Sequence, residues 1–212
     1  MLRVNEIFHS VQGESTHAGR PCAFVRLTGC NLRCVWCDTA YAFHEGVSMT
    51  VEQVVERVEA FGCRLVEVTG GEPLLQPEAS ALMRALLDRG YEVLLETGGS
   101  LPIESVPVGV RRIIDVKCPG SGEAARNRWE NLDALRTGDE LKFVIAGRED
   151  YEWAAGVVRD RALHEKTTVL FSAVHEGLPP GRLARWVLDD ALPVRVQVQM
   201  HKVLWPESPR GV

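Results

Sequence analysis

The chain has 212 residues, 45% of them hydrophobic and 25% charged, with a formal net charge of -5. This is the composition of an ordinary globular protein long enough to bury a real core. The acidic balance argues against a general nucleic-acid binder, and no apolar run reaches membrane-spanning length or reads as a secretory leader.

A cytoplasmic chain of one domain, residues 1–212, is therefore expected, with no linker, repeat or low-complexity tract. Strand and helix patterns alternate along it. Arg3–His9 and Ala23–Thr28 are the first predicted strands. Thr50 then caps a helix over Val51–Ala60, with Gln53 completing a capping box and Val51, Val54, Val55 and Val58 as its apolar stripe. Strand Leu65–Thr69 precedes a helix over Glu78–Arg89, which Gly90 ends. Strands Glu92–Glu96 and Arg112–Val116 follow, then a short helix over Trp129–Leu135 and strand Leu141–Ile145. Helix Asp150–Leu163, strand Thr168–Phe171, helix Leu183–Asp189 and strand Val194–Gln199 complete the series.

Most of these strands are runs of Val, Leu, Ile or Phe, which suit burial on both faces. Strands alternating with helices imply a mainly parallel sheet with right-handed crossovers. A complete barrel of eight βα units takes about 250 residues. The expected fold class is therefore α/β: a partial, open TIM-like βα barrel with about six core parallel strands. Ligands would sit at the carboxyl ends of those strands, where the loops after Thr28, Thr69, Glu96 and Val116 converge.

Chemistry concentrates in one of these loops. Six cysteines, three within eight residues, do not make a disulfide framework; in a reducing compartment they point to metal or redox chemistry. Cys30, Cys34 and Cys37 form C-x3-C-x2-C directly after a strand. Thiolates are the usual ligands of iron–sulfur clusters, and three of them on a 4Fe–4S cluster leave one iron open to chelate a small molecule. Zinc is the competing reading, with Cys22, Cys63 or Cys118 as a fourth ligand. The last three otherwise read as small packing residues. His9, His17, His44, His164 and His201 show no metal-ligand spacing and read as ordinary polar or packed residues.

The triad, with aromatic Trp36 before its last cysteine, resembles the signature of the radical S-adenosylmethionine (SAM) superfamily. Val68-Thr-Gly-Gly-Glu-Pro-Leu74 looks like that superfamily's GGEP motif. There Gly70 and Gly71 would permit close backbone approach, and Glu72 would offer an acceptor to the SAM ammonium. A narrower resemblance, to the 7-carboxy-7-deazaguanine synthase family, rests on Asn5-Glu-Ile-Phe-His-Ser-Val-Gln-Gly-Glu14, on Arg26 and on Trp36-Cys-Asp-Thr39. Glu96-Thr-Gly-Gly99, Asp115-Val-Lys-Cys-Pro-Gly-Ser121 and Gln199-Met-His-Lys202 also look like that family.

The resemblance implies a barrel of the radical SAM type and three cofactors: a 4Fe–4S cluster on Cys30, Cys34 and Cys37, SAM, and a magnesium ion reached by Thr39. Trp36, Cys37, Asp38, Gly71, Glu72, Gly99, Asp115, Val116 and Lys117 would bind the cofactors. Val11, Gln12, Gly13, Arg26 and Thr97 would contact a carboxylated tetrahydropterin, Arg26 as a guanidinium fork for its carboxylate. Ser172–His175 would touch the ribose or adenine, and the tail Trp205–Val212 would dock near the substrate. A carbon–nitrogen lyase reaction is implied, contracting the pterin ring with loss of ammonia. So are a homodimer and a flavodoxin or ferredoxin type reductant, with no nucleic-acid or membrane partner. Two alternatives stand beside it: a radical-activating enzyme that acts on a partner protein's glycine, and a metal-stabilised electron-transfer or binding protein without radical chemistry.

Overall fold

The computed structural model describes residues 1–208 and 210–212. Nine strands form one sheet: β1 (Leu2–Val11), β2 (Pro21–Leu27), β3 (Val47–Met49), β4 (Leu65–Gly70), β5 (Glu92–Thr97), β6 (Arg111–Asp115), β7 (Glu140–Ile145), β8 (Thr168–Ala173) and β9 (Arg195–Gln197). Their order is β3-β1-β2-β4-β5-β6-β7-β8-β9. From β2 through β9 every pairing is parallel. The six longer strands of that run are the expected parallel core. The sheet curls but does not close, which makes it an open α/β barrel.

Two features differ from the sequence expectation at the first edge. β1 and β3 are antiparallel additions, and β3 has only three residues, too few for a pattern to announce it. The open side is not left empty. Residues 12–20, between β1 and β2, reach across it: the Thr16 amide donates to Glu140 at the start of β7, and the Ser15 amide to Gln197 Oε1 of β9 at 2.8 Å.

The described residues form six α-helices: α1 (Val51–Glu59), α2 (Ala79–Asp88), α3 (Arg148–Asp160), α4 (Leu163–Lys166), α5 (Pro180–Asp189) and α6 (Met200–Leu204). The Thr50 cap forms as its residue types dictate. Thr50 Oγ1 accepts from the Gln53 amide at 3.2 Å, and Gln53 Oε1 accepts from the Thr50 amide at 2.9 Å. Thr50→Ala is expected to cost about 1 kcal/mol, a fall of about 2–4 °C in Tm for a chain of this size, measured by thermal denaturation. Gly90 ends α2 in the left-handed region (φ 79°).

Two crossovers lack the helix that barrel topology normally places there. The expected helix at Trp129–Leu135 is only a 3-10 turn over Trp129–Leu132. Its Asn131 amide instead donates to the carbonyls of Gly99 and Leu101, both at 3.0 Å, which turns the segment back onto the preceding loop. Arg112 pins both irregular crossovers. It is fully buried, pairs with Asp139 and donates to Ile103 O at 3.0 Å and Ala134 O at 2.7 Å. The later helix also breaks, because Ala162 adopts φ 48° and separates α3 from α4.

Most of the core lies between the outer sheet face and the helices. A second, smaller cluster fills the barrel interior: Phe8, Cys22, Phe24, Leu65, Leu94 and Ile113. Phe8 and Phe24 stack there with centroids 4.9 Å apart. These side chains form an apolar floor across the barrel interior, and Phe8 and Phe24 of it also line the cavity at the carboxyl ends of the strands.

Candidate active site

A cavity of about 340 Å³ opens above that floor. As expected, the loops after β2, β4, β5 and β6 converge on it. Cys30, Cys34 and Cys37 line it, all half-buried and none in a disulfide. Their loop is fixed from several sides: Val35 N–H donates to Ser121 O at 3.0 Å, Cys37 N–H to Cys34 O at 3.2 Å, and the Arg33 guanidinium to Cys30 O at 2.9 Å. Burial pushes the Cys30 and Cys34 thiols up, while the Lys117 cation pulls both back toward the thiolate.

The Gly70–Gly71 turn lines the cavity on one side and packs tightly on protein backbone on the other. A Cβ on Gly70 would lie 2.3 Å from Leu27 O, and one on Gly71 2.3 Å from Gly29 O and 2.7 Å from Cys30 Cβ. Gly70 thus packs on the end of β2 and Gly71 on the start of the cysteine loop, so the turn is the surface against which that loop begins.

Glu72 also faces inward. Its carboxylate accepts from Thr97 Oγ1 at 2.8 Å, from the Gly98 amide at 2.8 Å and from the Leu74 amide at 3.0 Å. Burial pushes this acid up and those donors draw it back down. Glu72, Gly99 and Val116 all stand behind the cavity wall, whereas Trp36, Asp38, Thr39, Gly71, Asp115 and Lys117 are on it. Lys117 Nζ lies 2.8 Å from Asp115 Oδ2. Burial alone would lower the lysine, but the charges of Asp115 and Cys34 override it and hold it above its usual range. Asn127 clamps the backbone there, its amide bonded to Lys117 N–H and C=O at 2.8 and 2.9 Å.

Val11, Gln12, Gly13, Arg26 and Thr97 also line the cavity. Arg26 Nε donates to Glu6 at 2.7 Å, and its terminal nitrogens have no partner among the described residues. Phe8 and Tyr41 lie about the guanidinium, at 5.7 and 5.9 Å. The Gln12 amide donates to Glu67 and its Oε1 accepts from the Glu14 amide at 2.9 Å. Gly13 has no room for a side chain, since its Cβ would meet His201 Nδ1 at 2.4 Å.

Several wall residues escaped the sequence reading. Glu14, Glu67, Glu96 and Lys142 make a polar layer directly over the apolar floor. Lys142 Nζ bridges Glu14, at 2.9 Å, and Glu96. The available signal was a charged residue inside an apolar strand, Glu67 in LVEVTG and Lys142 in ELKFVI, as Arg26 also is in PCAFVRL. Of the segment Ser172–His175, expected near the ribose or adenine, Val174 and His175 lie on the wall, and Ser172 Oγ is buried with no partner among the described residues. His201, expected to be an ordinary polar or packed residue, is on the wall too. Of the tail, Ser208, Arg210, Gly211 and Val212 line the cavity, and Pro209 lies outside the described residues. Arg210 pairs with Glu45 at 2.7 Å and stacks 3.9 Å above the Tyr41 ring.

The donor set suits a cluster better than zinc. Among the described residues no three His, Cys, Asp or Glu side chains gather closely enough to hold one metal ion, and the candidate fourth thiols are elsewhere. Cys22 belongs to the apolar floor, Cys63 donates to Pro21 O at 3.1 Å at the amino end of β2, and Cys118 is buried off the cavity. Three thiols spread along one cavity wall fit a polynuclear cluster with an open position. Asp115 Oδ1 is buried on this wall with no partner among the described residues, an acceptor that no protein donor satisfies.

An open α/β barrel with a three-cysteine loop at the carboxyl end of its first parallel strand defines the class. Residues 24–113 match the model of the radical SAM superfamily, whose members carry a 4Fe–4S cluster and use SAM. Within that class the chain belongs to the 7-carboxy-7-deazaguanine synthase family. It is 47% identical to the synthase of Chlorobaculum tepidum, over 100% of this chain and 97% of that one. It is 46% identical to that of Koribacter versatilis, over the full length of both. The crystal structure of QueE from Escherichia coli has the same fold: TM-score 0.77 and 21% identity, covering 94% of each chain.

Proposed function

We propose that this chain contracts the ring of 6-carboxy-5,6,7,8-tetrahydropterin to 7-carboxy-7-deazaguanine with release of ammonia, a carbon–nitrogen lyase step in 7-deazapurine (queuosine precursor) biosynthesis. The observation that carries the reading is Arg26. Its guanidinium is held by Glu6 through Nε alone, on the wall of the cavity that the cysteine triad also lines, with both terminal nitrogens free for a carboxylate. Family membership along the whole chain supplies the reaction.

When bound, the cluster and SAM supply the one-electron chemistry that opens a substrate C–H bond. The chain's residues supply placement. Arg26 would hold the substrate carboxylate, and Gln12, Gly13, Val11 and Thr97 its ring. Trp36, Asp38, Gly71, Asp115 and Lys117 would hold SAM directly, with Glu72, Gly99 and Val116 shaping the loops behind them. Thr39 would reach magnesium through Oγ1, which caps no helix and lies 3.8 Å from Cys37 Sγ; substrate oxygens and waters would complete the octahedron. The apolar floor and the 12–20 loop exclude water from below. No side chain is assigned as general acid or base. A homodimer, a flavodoxin or ferredoxin type reductant and a cytoplasmic location belong to the same reading; no helix among the described residues is long and apolar enough to cross a membrane.

The test is an anaerobic assay of reconstituted, reduced protein with SAM, magnesium and the pterin, read by mass spectrometry. The expected result is 7-carboxy-7-deazaguanine without stoichiometric loss of SAM; SAM cleavage without that product would move the substrate assignment elsewhere. Arg26→Gln is expected to lower kcat/KM by about 10- to 100-fold, the worth of a charge-assisted pair, mainly through KM.

A further inference from the structure

Glu67 is a charged side chain where a parallel strand should be apolar. It sits between Val66 and Val68 in β4, opposite Phe24 of β2 and Leu94 of β5. Only 4% of it is exposed, yet it lines the cavity. Such a residue is costly unless each oxygen finds a donor. One does: Oε2 accepts from the Gln12 amide. The other, Oε1, accepts from no donor among the described residues, and it is not sealed in the protein, so it faces the cavity.

The neighbours cannot supply the missing donor. Lys142, the one cation in the layer, is committed to Glu14 and Glu96. Glu96 Oε2 itself has only Thr69 Oγ1, at a long 3.4 Å. The layer is therefore rich in acceptors and short of N–H groups. Burial and the adjacent Glu96 carboxylate push the Glu67 acid well above its usual range, and an N–H donated to Oε1 would draw it back toward the ionised, accepting form.

A ligand edge that fits this layer carries N–H groups. The 2-amino-4-oxo pyrimidine end of a pterin does, presenting an exocyclic amino group from which a single carboxylate oxygen can accept. A 2-oxo ring of the same shape would point a carbonyl oxygen at the same place. We propose that Glu67 is a specificity-determining residue of this enzyme: its free carboxyl oxygen accepts from the amino-pyrimidinone edge of the substrate and selects a 2-amino ring over a 2-oxo ring. Through Oε2 the same side chain fixes the Gln12 amide, so one N–H and one carbonyl lone pair of Gln12 remain for the ligand. The inference rests on the pterin reading above and adds the residue that reads the far end of the ring from Arg26.

The test compares wild type, Glu67→Leu and Glu67→Gln as reconstituted holoenzymes, each with 6-carboxytetrahydropterin and with its 2-oxo counterpart, 6-carboxytetrahydrolumazine. Cluster content by visible absorption and Tm serve as controls of folding. Glu67→Leu should raise KM for the pterin by about 10- to 100-fold with kcat changed less than about threefold. Its preference for the pterin over the 2-oxo analogue should collapse by a similar factor. Glu67→Gln keeps an acceptor but adds a donor, so it should bind the pterin within about tenfold of wild type while improving on the 2-oxo analogue. If Glu67→Leu does not fold, the shift in preference of Glu67→Gln decides alone. An unchanged preference ratio in the folded variants, with the pterin still turned over, overturns the role of Glu67. Failure of the wild type to turn over the pterin overturns the substrate reading instead.

Discussion

Cys34→Ala is expected to abolish turnover, by more than about a thousandfold, and to remove the visible iron–sulfur absorption from the reconstituted protein. Three thiols are the whole ligand set that the loop offers, and no other cysteine can move in. Cys22 is part of the apolar floor, Cys63 packs against it at the amino end of β2, and Cys118 is buried away from the cavity. Two thiolates cannot replace three without leaving a second iron open. The loop is held in place by contacts that the substitution does not touch, from Ser121, from the Arg33 guanidinium and from the wall formed by Gly70 and Gly71. The variant should therefore fold, with a Tm close to wild type in the metal-free form. Cys63→Ala is the matched control and should keep both absorption and activity. A Cys34→Ala protein with full cluster absorption and turnover would remove Cys34 from the ligand set.

This loop was readable from the sequence because its information is local. Three thiols in eight residues, placed after a strand, need no tertiary knowledge to be recognised, and the parallel order follows from alternating strands and helices. The glycine pairs were readable as close approaches but not as to what approaches. Only packing shows that Gly71 faces Cys30 and that Gly99 abuts Ile114. Glu72 illustrates the same limit. An acidic residue at the end of a motif invites a ligand, yet three protein donors already occupy it. Glu14 and Glu96 stood in motifs of the family resemblance, but the layer they form with Glu67 and Lys142 was not read, because its members come from a loop and three separate strands. Their only common property is that each points into a barrel whose curvature the sequence does not state. Trp129–Leu135 failed for a related reason: its helical pattern is real, but Asn131 is used to tie down the neighbouring loop.

That polar layer is also where the structure is most exposed to a single change. Lys142 is 5% exposed and bridges Glu14, on the loop that spans the open side, to Glu96 on β5. Burial would lower the lysine, but the facing carboxylates hold it well above its usual range; Lys142 in turn overrides burial to keep Glu96 below its own. Replacing it by methionine keeps the length and removes the charge. Glu14 and Glu96 would then face each other and Glu67 with no counter-charge, and breaking a buried pair in this way costs about 3–5 kcal/mol. For a chain of this size the expected fall in Tm is about 6–20 °C at neutral pH. The pH dependence carries the diagnosis. Lys142 itself contributes stability that is fully present below about pH 10 and is lost only as pH rises through its raised folded value. Its absence leaves acids that bind protons more tightly in the folded chain than in the unfolded one, so the variant loses stability as pH rises above about 4 to 5. The deficit should therefore be large at pH 8 and much smaller at pH 5, and adding Glu96→Gln to Lys142→Met should recover part of it. A Lys142→Met protein whose Tm matches wild type at both pH values would mean that the bridge does not carry the layer. The loop bearing Gln12 and Glu14 would then owe its place to its other bonds, to Glu67, Glu140, Gln197 and the Met200 amide.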